Sequence, residues 1–270
     1  MEQSPASPNN RWADLPTRIV SALVILPVSL ACIWVGGEVF LIFLTVLSLF
    51  CAYEWCRISG LGVSVRTTFV FWFGILLSFL TFESEYSFLG YIAIAASTAI
   101  VLAGNWDRGK GNAIMAAMGV PYLVLAFITC FILRDSYNGV MHLAWLVGMV
   151  VATDIGAYAS GRTFGGPKIA PKISPKKTWA GLVGGIIASV IVTIFFYETG
   201  NALVDVLYSY GIAVLIPIVA QSGDFLESWM KRRADVKDSS SLIPGHGGFL
   251  DRLDGFLAAL PVFTLIKSLI

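Results

Sequence analysis

Apolar runs of about twenty residues, separated by short polar connections, restrict this chain more than any other feature of it. A helix needs about 20 mostly apolar residues to cross the hydrocarbon layer of a bilayer. Such runs occupy roughly 17–35, 38–56, 67–82, 86–104, 113–133, 140–161, 179–198, 203–223 and 249–268. The 270 residues are 57% hydrophobic and 13% charged, whereas a soluble domain carries about 25% charged residues. So much apolar side chain cannot be hidden in an aqueous core of this size. In lipid every backbone polar group must be satisfied within its own segment, which leaves helices as the spanning element. The expected fold class is all-α, a polytopic integral membrane protein of about nine transmembrane helices. A polar N-terminal tail at 1–16 precedes a single transmembrane domain over 17–270.

Sidedness follows from Lys and Arg, which concentrate on the cytoplasmic face. With the N-terminus inside, only Arg134 and Lys267 of the 18 basic residues fall on the outer side. The orientation expected is therefore N-in and C-out. The two longer connections, at about 162–178 and 224–248, then face the cytoplasm together. The tail lacks the charged start of a signal peptide and is expected to enter the first span through an interfacial turn at Trp12. A net charge of +1 indicates no particular partner, and a nucleic-acid partner is not expected. Cys32, Cys51, Cys56 and Cys130 lie within or at the ends of apolar runs without metal-ligand spacing, and read as small buried hydrophobes. Trp55, Tyr86 and Trp145, at span ends, read as interface anchors. Glu54 and Arg134 have no obvious partner.

The second connection and its flanks read "QSGDFLESWMKRRADVKDSSSLIPGHGGFLDRLDGF". Asp224 closes the eighth span, and Asp251 and Asp254 open the ninth, three residues apart and so on one side of a helix. Acids at membrane depth are costly and usually pair with something. Lys231, Arg232, Arg233, Lys237 and Arg252 are close in sequence. Carboxylates with cations in this arrangement suit a divalent ion and phosphate oxygens, Mg²⁺ being the usual ion for such hard ligands. "PGHGG", with His246, Gly247 and Gly248, offers backbone N–H groups at close range and leads into a helix N-terminus, where anions are favoured. The plainer alternative is a cytoplasmic stop signal of basic residues with balancing acids. It covers Arg232 and Arg233 but not acids placed on spans.

The first connection reads "ATDIGAYASGRTFGGPKIAPKISPKKTWAG". Asp154 lies inside the sixth span with Tyr158 one turn on; an ion pair with Arg162 is the structural alternative for Asp154. Ser174, Lys176, Lys177 and Thr178 crowd the start of the seventh helix, a phosphate-binding combination. Thr178 could equally be a simple N-cap, and Lys168 and Lys172 a positive cytoplasmic surface.

Residues Ser228 to Asp254, "SWMKRRADVKDSSSLIPGHGGFLDRLD", resemble the signature of the CDP-diglyceride synthetases, the phosphatidate cytidylyltransferases. The upstream "DIGAYASGRTFGGPKIAPKISPKKTWAG" is similar to that family's second motif, with Ala180 where Glu is frequent. The resemblance implies transfer of a cytidylyl group from CTP to phosphatidic acid, giving CDP-diacylglycerol and pyrophosphate. It implies Asp224, Asp251 and Asp254 as metal ligands for Mg²⁺ in a paired cation site, whose second ion is possible as a monovalent one. Lys231, Arg232, Lys237 and Arg252 would meet triphosphate or lipid phosphate. Ser174, Lys176, Lys177 and Thr178 would meet nucleotide phosphates or the departing pyrophosphate. His246, Gly247 and Gly248 would shape the pocket, Asp154 would orient a Lys or a metal-bound water, and Tyr158 would join the substrate-binding residues. The resemblance also implies a homodimer, while chain size and the lack of a transit segment point to a bacterial inner membrane, with the active site of the catalytic domain expected to face the cytoplasm.

Three rivals can be weighed. A CDP-alcohol phosphotransferase needs a second pair of acids after "DRLDG", and none follows Asp254. Another CTP-using lipid enzyme, acting on a polyprenol or an ether lipid, differs only in acceptor. A transporter would spread its charges through the membrane, whereas these gather at one side.

Overall fold

A computed structural model describes residues 15–62, 64–82, 84–198 and 206–269. Among them are nine α-helices: α1 (Leu15–Val35), α2 (Gly37–Cys56), α3 (Val65–Thr81), α4 (Ser87–Gly104), α5 (Lys110–Asp135), α6 (Gly139–Thr163), α7 (Trp179–Glu198), α8 (Val206–Arg233) and α9 (Leu250–Leu269). Seven of these are long and apolar enough to cross a membrane, and the chain is an integral membrane protein. The other two are α3, which is short, and α9, whose first turns carry Asp251, Arg252 and Asp254. Most of the tail, with Arg11 and the turn expected at Trp12, lies outside the described residues, as do 199–205 between α7 and α8.

Helix α5 is the hub, packing on α2, α3, α4, α6 and α9. Its apolar stretch is 61% buried, whereas that of α1 is 0% buried. Lipid tails are as apolar as Leu, so helices in a bilayer gain from close van der Waals approach, which small residues permit. The contact of α6 with α7 shows this: a Cβ on Gly156 would overlap the Gly184 carbonyl, and one on Gly184 would overlap Ser160. The same device joins α3 to α4 through Gly74 against Ser97.

Two aromatic expectations are corrected. Trp55 is 3% exposed and Trp145 2% exposed, so both are core residues and not interface anchors. Each indole N–H finds a partner inside the bundle: Trp55 donates to the Met115 carbonyl at 2.9 Å, and Trp145 to Thr193 Oγ1 at 3.0 Å. Tyr86 is exposed, as an anchor must be. Cys51, Cys56 and Cys130 are buried and Cys32 half-buried, as expected of small hydrophobes. Arg134 has partners after all. Its Nε and Nη2 donate to the Ile33 and Trp34 carbonyls at 2.9 and 3.0 Å, capping the last turn of α1, whose carbonyls would otherwise be unpaired.

Helix boundaries depart most from the apolar runs where charge begins. Helix α8 continues ten residues beyond the run ending at 223, through Arg233. Ser228 donates to Asp224 at 3.1 Å and Lys231 to Glu227 at 2.6 Å, each across one turn. Lys231, Arg232 and Arg233 occupy the last turn, where cations complement the helix dipole. The second connection is thus shorter than 224–248. The first contains two strands, β1 (Lys168–Ala170) and β2 (Ser174–Thr178), paired antiparallel, a small addition to an otherwise helical chain.

A Leu at Gly184 is expected to force α6 and α7 apart and cost about 1–3 kcal/mol by overpacking. A Leu at Gly211, where a Cβ meets nothing within 4 Å, should be nearly silent. Melting curves of the two variants in detergent check this contrast.

Candidate active site

Strand β2 delivers Lys177. Gly165 and Gly166, with φ of 63° and 92°, turn the chain out of α6 in a conformation that glycine adopts without strain. The hairpin then runs back to α7, held by Trp179 N–H on the Pro167 carbonyl at 3.1 Å. Thr178 is buried and its Oγ1 accepts from Gly181 N–H at 3.0 Å. Its hydroxyl oxygen thus caps α7, as for a simple N-cap, and fixes the end of the strand. Lys177 forms an ion pair with Asp224 of α8 and lies over the Phe225 ring, 4.5 Å from its centroid. Ser174 is half-buried and Lys176 exposed beside it.

Close approach of α8 and α9 brings two further acids to this point. A Cβ on Gly223 would overlap the Asp254 carbonyl, and one on Gly255 would come within 3.1 Å of the Ala220 carbonyl. Asp224 and Asp254 sit beside this crossing and act on each other electrostatically. Asp154 of α6 feels both Asp224 and Lys177. It does not pair with Arg162, which donates instead to the Tyr158 hydroxyl at 2.7 Å on the exposed face of α6. Asp154, Lys177, Asp224 and Asp254 thus converge from α6, β2, α8 and α9. Asp154 is exposed and Asp224 partly so, so the group is accessible to a charged ligand.

Asp251 belongs to a second group. Lys231 Nζ bridges Glu227 Oε2 at 2.6 Å and Asp251 Oδ1 at 2.7 Å. Asp251 also accepts from Ser239 N–H and Oγ, both at 2.9 Å, and from Gly248 N–H at 2.8 Å. The three carboxylates expected to share a metal are therefore divided. Among the described residues, no three His, Cys, Asp or Glu side chains stand close enough to hold one ion. Glu227, 4% exposed, stands between the groups, acted on by both Asp254 and Asp251.

Glu54 organises the whole segment. It is 0% exposed and accepts from Ser240 Oγ at 2.5 Å, Ser239 Oγ at 3.2 Å, Phe249 N–H at 3.0 Å and Leu250 N–H at 2.6 Å. Amides at a helix start have no partner within the helix, and a carboxylate there also meets the positive end of the dipole. A Cβ on Gly248 would collide with Glu54 and Ser239, which is why glycine stands there. Sequence reasoning missed both Glu54 and Glu227. The only signal for Glu54 is an acid inside an apolar run; Glu227 could have been found from its four-residue spacing to Lys231.

The remaining expected residues are more peripheral. Arg252 Nε and Nη2 donate to the His246 carbonyl at 3.0 and 2.6 Å, locking the turn. Ile243 N–H reaches the Gly247 carbonyl at 2.8 Å across it. His246 Nδ1 is buried and has no hydrogen-bond partner among the described residues. Arg232 and Lys237 are exposed at the chain surface.

Residues 16–270 match the model of the Cytidylyltransferase family. The chain is 36% identical over 266 residues to a phosphatidate cytidylyltransferase of Brucella melitensis, covering 95% of this chain and 94% of that one. It is 34% identical over 273 residues to one of Pseudomonas aeruginosa, covering 93% and 96%. Against one of Haemophilus influenzae it is 33% identical over 280 residues, covering 93% and 97%.

Replacing Glu54 by Gln turns one acceptor oxygen into a donor facing other donors, and is expected to cost about 2–3 kcal/mol. Hydrogen exchange should quicken at the Phe249 and Leu250 amides above all. Unchanged exchange at those two amides would show that Glu54 does not hold the start of α9.

Proposed function

The chain belongs to the cytidylyltransferase family, and from that premise we propose how its site works. It transfers the cytidylyl group of CTP to phosphatidate, giving CDP-diacylglycerol and pyrophosphate for phospholipid synthesis. The observation that carries the assignment of residues is the convergence of Lys177 from β2 with Asp224 and Asp254 at one end of the helices. We read nine spans, N-in and C-out, in a bacterial inner membrane, with that end in the cytoplasm and the enzyme a homodimer. Positive charge is concentrated at the same end, which supports this orientation.

An oxygen of the phosphatidate phosphate attacks the α-phosphorus of CTP. The bond from that phosphorus to the bridging oxygen breaks, and pyrophosphate leaves with the electron pair. Both reactants are anions, so the barrier is largely repulsion, and fixed positive groups lower it. Lys177, with Lys176 and Ser174 beside it on β2, holds the triphosphate; Lys177 exchanges Asp224 for a phosphate oxygen when CTP enters. Asp154 keeps Lys177 oriented. Arg232 and Lys237, exposed beyond α8, attract the nucleotide from solvent. Lys231, fixed between Glu227 and Asp251, holds α8 and α9 in register beneath the reacting phosphates.

The donors fit a hard divalent cation. Asp224 and Asp254 are oxygen ligands at one crossing, and Mg²⁺ commonly takes one or two carboxylates together with substrate phosphate oxygens. Such an ion, when bound, neutralises the phosphoryl oxygens around the α-phosphorus. Asp251, its oxygens already engaged by Lys231, Ser239 and Gly248, fits the loop and not the ion. Glu227 Oε1, buried and without a hydrogen-bond partner among the described residues, is a further acceptor, three residues on from Asp224 in α8.

Membranes holding the protein, given phosphatidate, Mg²⁺ and CTP labelled at the α-phosphate, should move label into the organic phase. A chelator should abolish this. Asp224→Asn is expected to lower it about 10²–10³-fold, the usual scale for losing one transition-state charge contact, with an unchanged melting temperature. Asp251→Asn should lower activity and melting temperature together. Full activity in Asp224→Asn would remove the cation from this crossing.

A further inference from the structure

Behind the catalytic groups lies an apolar groove between α1, α2 and α9. It has a volume of about 650 Å³, within the range of ligand pockets, and Ala22, Leu26, Phe43, Leu47 and Leu253 line it. Phe249 and Phe50, stacked with ring centroids 5.1 Å apart, form part of its wall. Residues 22–29 of α1 follow it for about 10 Å at 1.5 Å per residue, most of the roughly 15 Å of hydrocarbon in one leaflet. The groove exists because α1 packs chiefly on α2 and reaches the "PGHGG" turn only at its first turns. There Ser21 Oγ donates to the Pro244 carbonyl at 2.8 Å, and Gly245 abuts Arg18, with a Cβ on it falling 2.8 Å from Arg18 Cγ.

The mouth is cationic. Arg252 and His246 line it, and Arg18 stands against the same turn. Neither Arg18 nor Arg252 pairs with a carboxylate among the described residues. His246 adds a buried ring nitrogen with no partner among them. Two guanidiniums without acids, above a hydrocarbon slot, complement a phosphate attached to acyl chains.

The occupant cannot be the reacting lipid. Helix α9 turns about 100° per residue, and its Asp254–Gly255 face is spent against α8. Phe249, Arg252 and Leu253 face the groove, so α9 itself stands between the groove and Asp224. We propose that this groove holds a second, non-reacting anionic glycerophospholipid, its phosphate at Arg18 and Arg252 and an acyl chain between α1 and α9. It braces α1 against the turn that carries His246 and Gly248.

The test uses the full chain in neutral detergent, stripped of lipid and titrated with phosphatidylglycerol, phosphatidylcholine or inorganic phosphate. Phosphatidylglycerol carries no free phosphomonoester, so it cannot serve as acceptor. Native mass spectrometry should find one retained phosphatidylglycerol per chain, and the melting temperature should rise by about 3 °C or more. Phosphatidylcholine and inorganic phosphate should do neither. Arg18→Glu should weaken retention at least tenfold, and Ala22→Trp, which fills the groove from a lipid-facing position, should abolish it. Equal retention of phosphatidylcholine, undiminished retention in Ala22→Trp, or a change of oligomeric state in Ala22→Trp without loss of lipid would overturn the proposal. Cytidylyl transfer measured in the same samples separates this outcome from the reaction: retention without transfer sinks only the reaction, and transfer without retention sinks only the lipid site.

Discussion

A buried carboxylate on the second helix meeting the bare amides at the start of the ninth is the interaction on which the rest of this site depends. Glu54 receives two backbone N–H groups and two serine hydroxyls, and a charge so placed would be intolerable without them. Their geometry fixes where α9 begins. That starting point sets the rotation of α9, so that Asp251 turns toward Lys231 while Asp254 meets α8 beside Asp224. The loop from 238 to 249 is thus less a flexible connection than a template, with Gly248 kept small so that Glu54 and Ser239 can close over it.

The catalytic group depends on a different economy of space. Helices in lipid have little reason to prefer one neighbour over another, and glycine decides the matter where α6 meets α7 and where α8 meets α9. These contacts place Asp154, Asp224 and Asp254 on separate elements at one level, and a two-stranded hairpin brings Lys177 to them. Lys177 pairs with Asp224, whereas Asp154 and Asp254 form no ion pair among the described residues, so the group carries more negative than positive charge and suits a cation.

The sequence disclosed the parts of this arrangement that depend on local pattern. Apolar length located the nine helices of the described residues, seven of them long and apolar enough to cross a membrane, because a span needs about 20 apolar residues. Pattern failed where charge continues a helix: α8 runs on through Arg233 because Glu227 and Lys231 support each other a turn apart, and hydropathy sees only the end of the apolar stretch. Contacts between distant residues were illegible as well. Glu54 and Leu250 are separated by 196 positions, and Arg134 reaches Ile33 across 101, so neither could be matched to its partner by spacing. Trp55 and Trp145 misled because a tryptophan at a span end and one in a core look alike until the partner of the indole is known. The "SPKKT" and "PGHGG" stretches were recognisable as site material, but their division into two groups of acids depends on helix rotation, which spacing alone does not give.

Lys231 touches an acid of α8 on one side and an acid of α9 on the other, and this has a consequence for how such a chain can change over generations. Remove the lysine and two carboxylates face each other; remove either acid and the other must balance the cation alone. No member of the trio Glu227, Lys231 and Asp251 has a harmless first step away from its present identity. The three are therefore expected to be inherited as a block, drifting only where a compensating change arrives at nearly the same time, while the lipid-facing positions around them vary one by one.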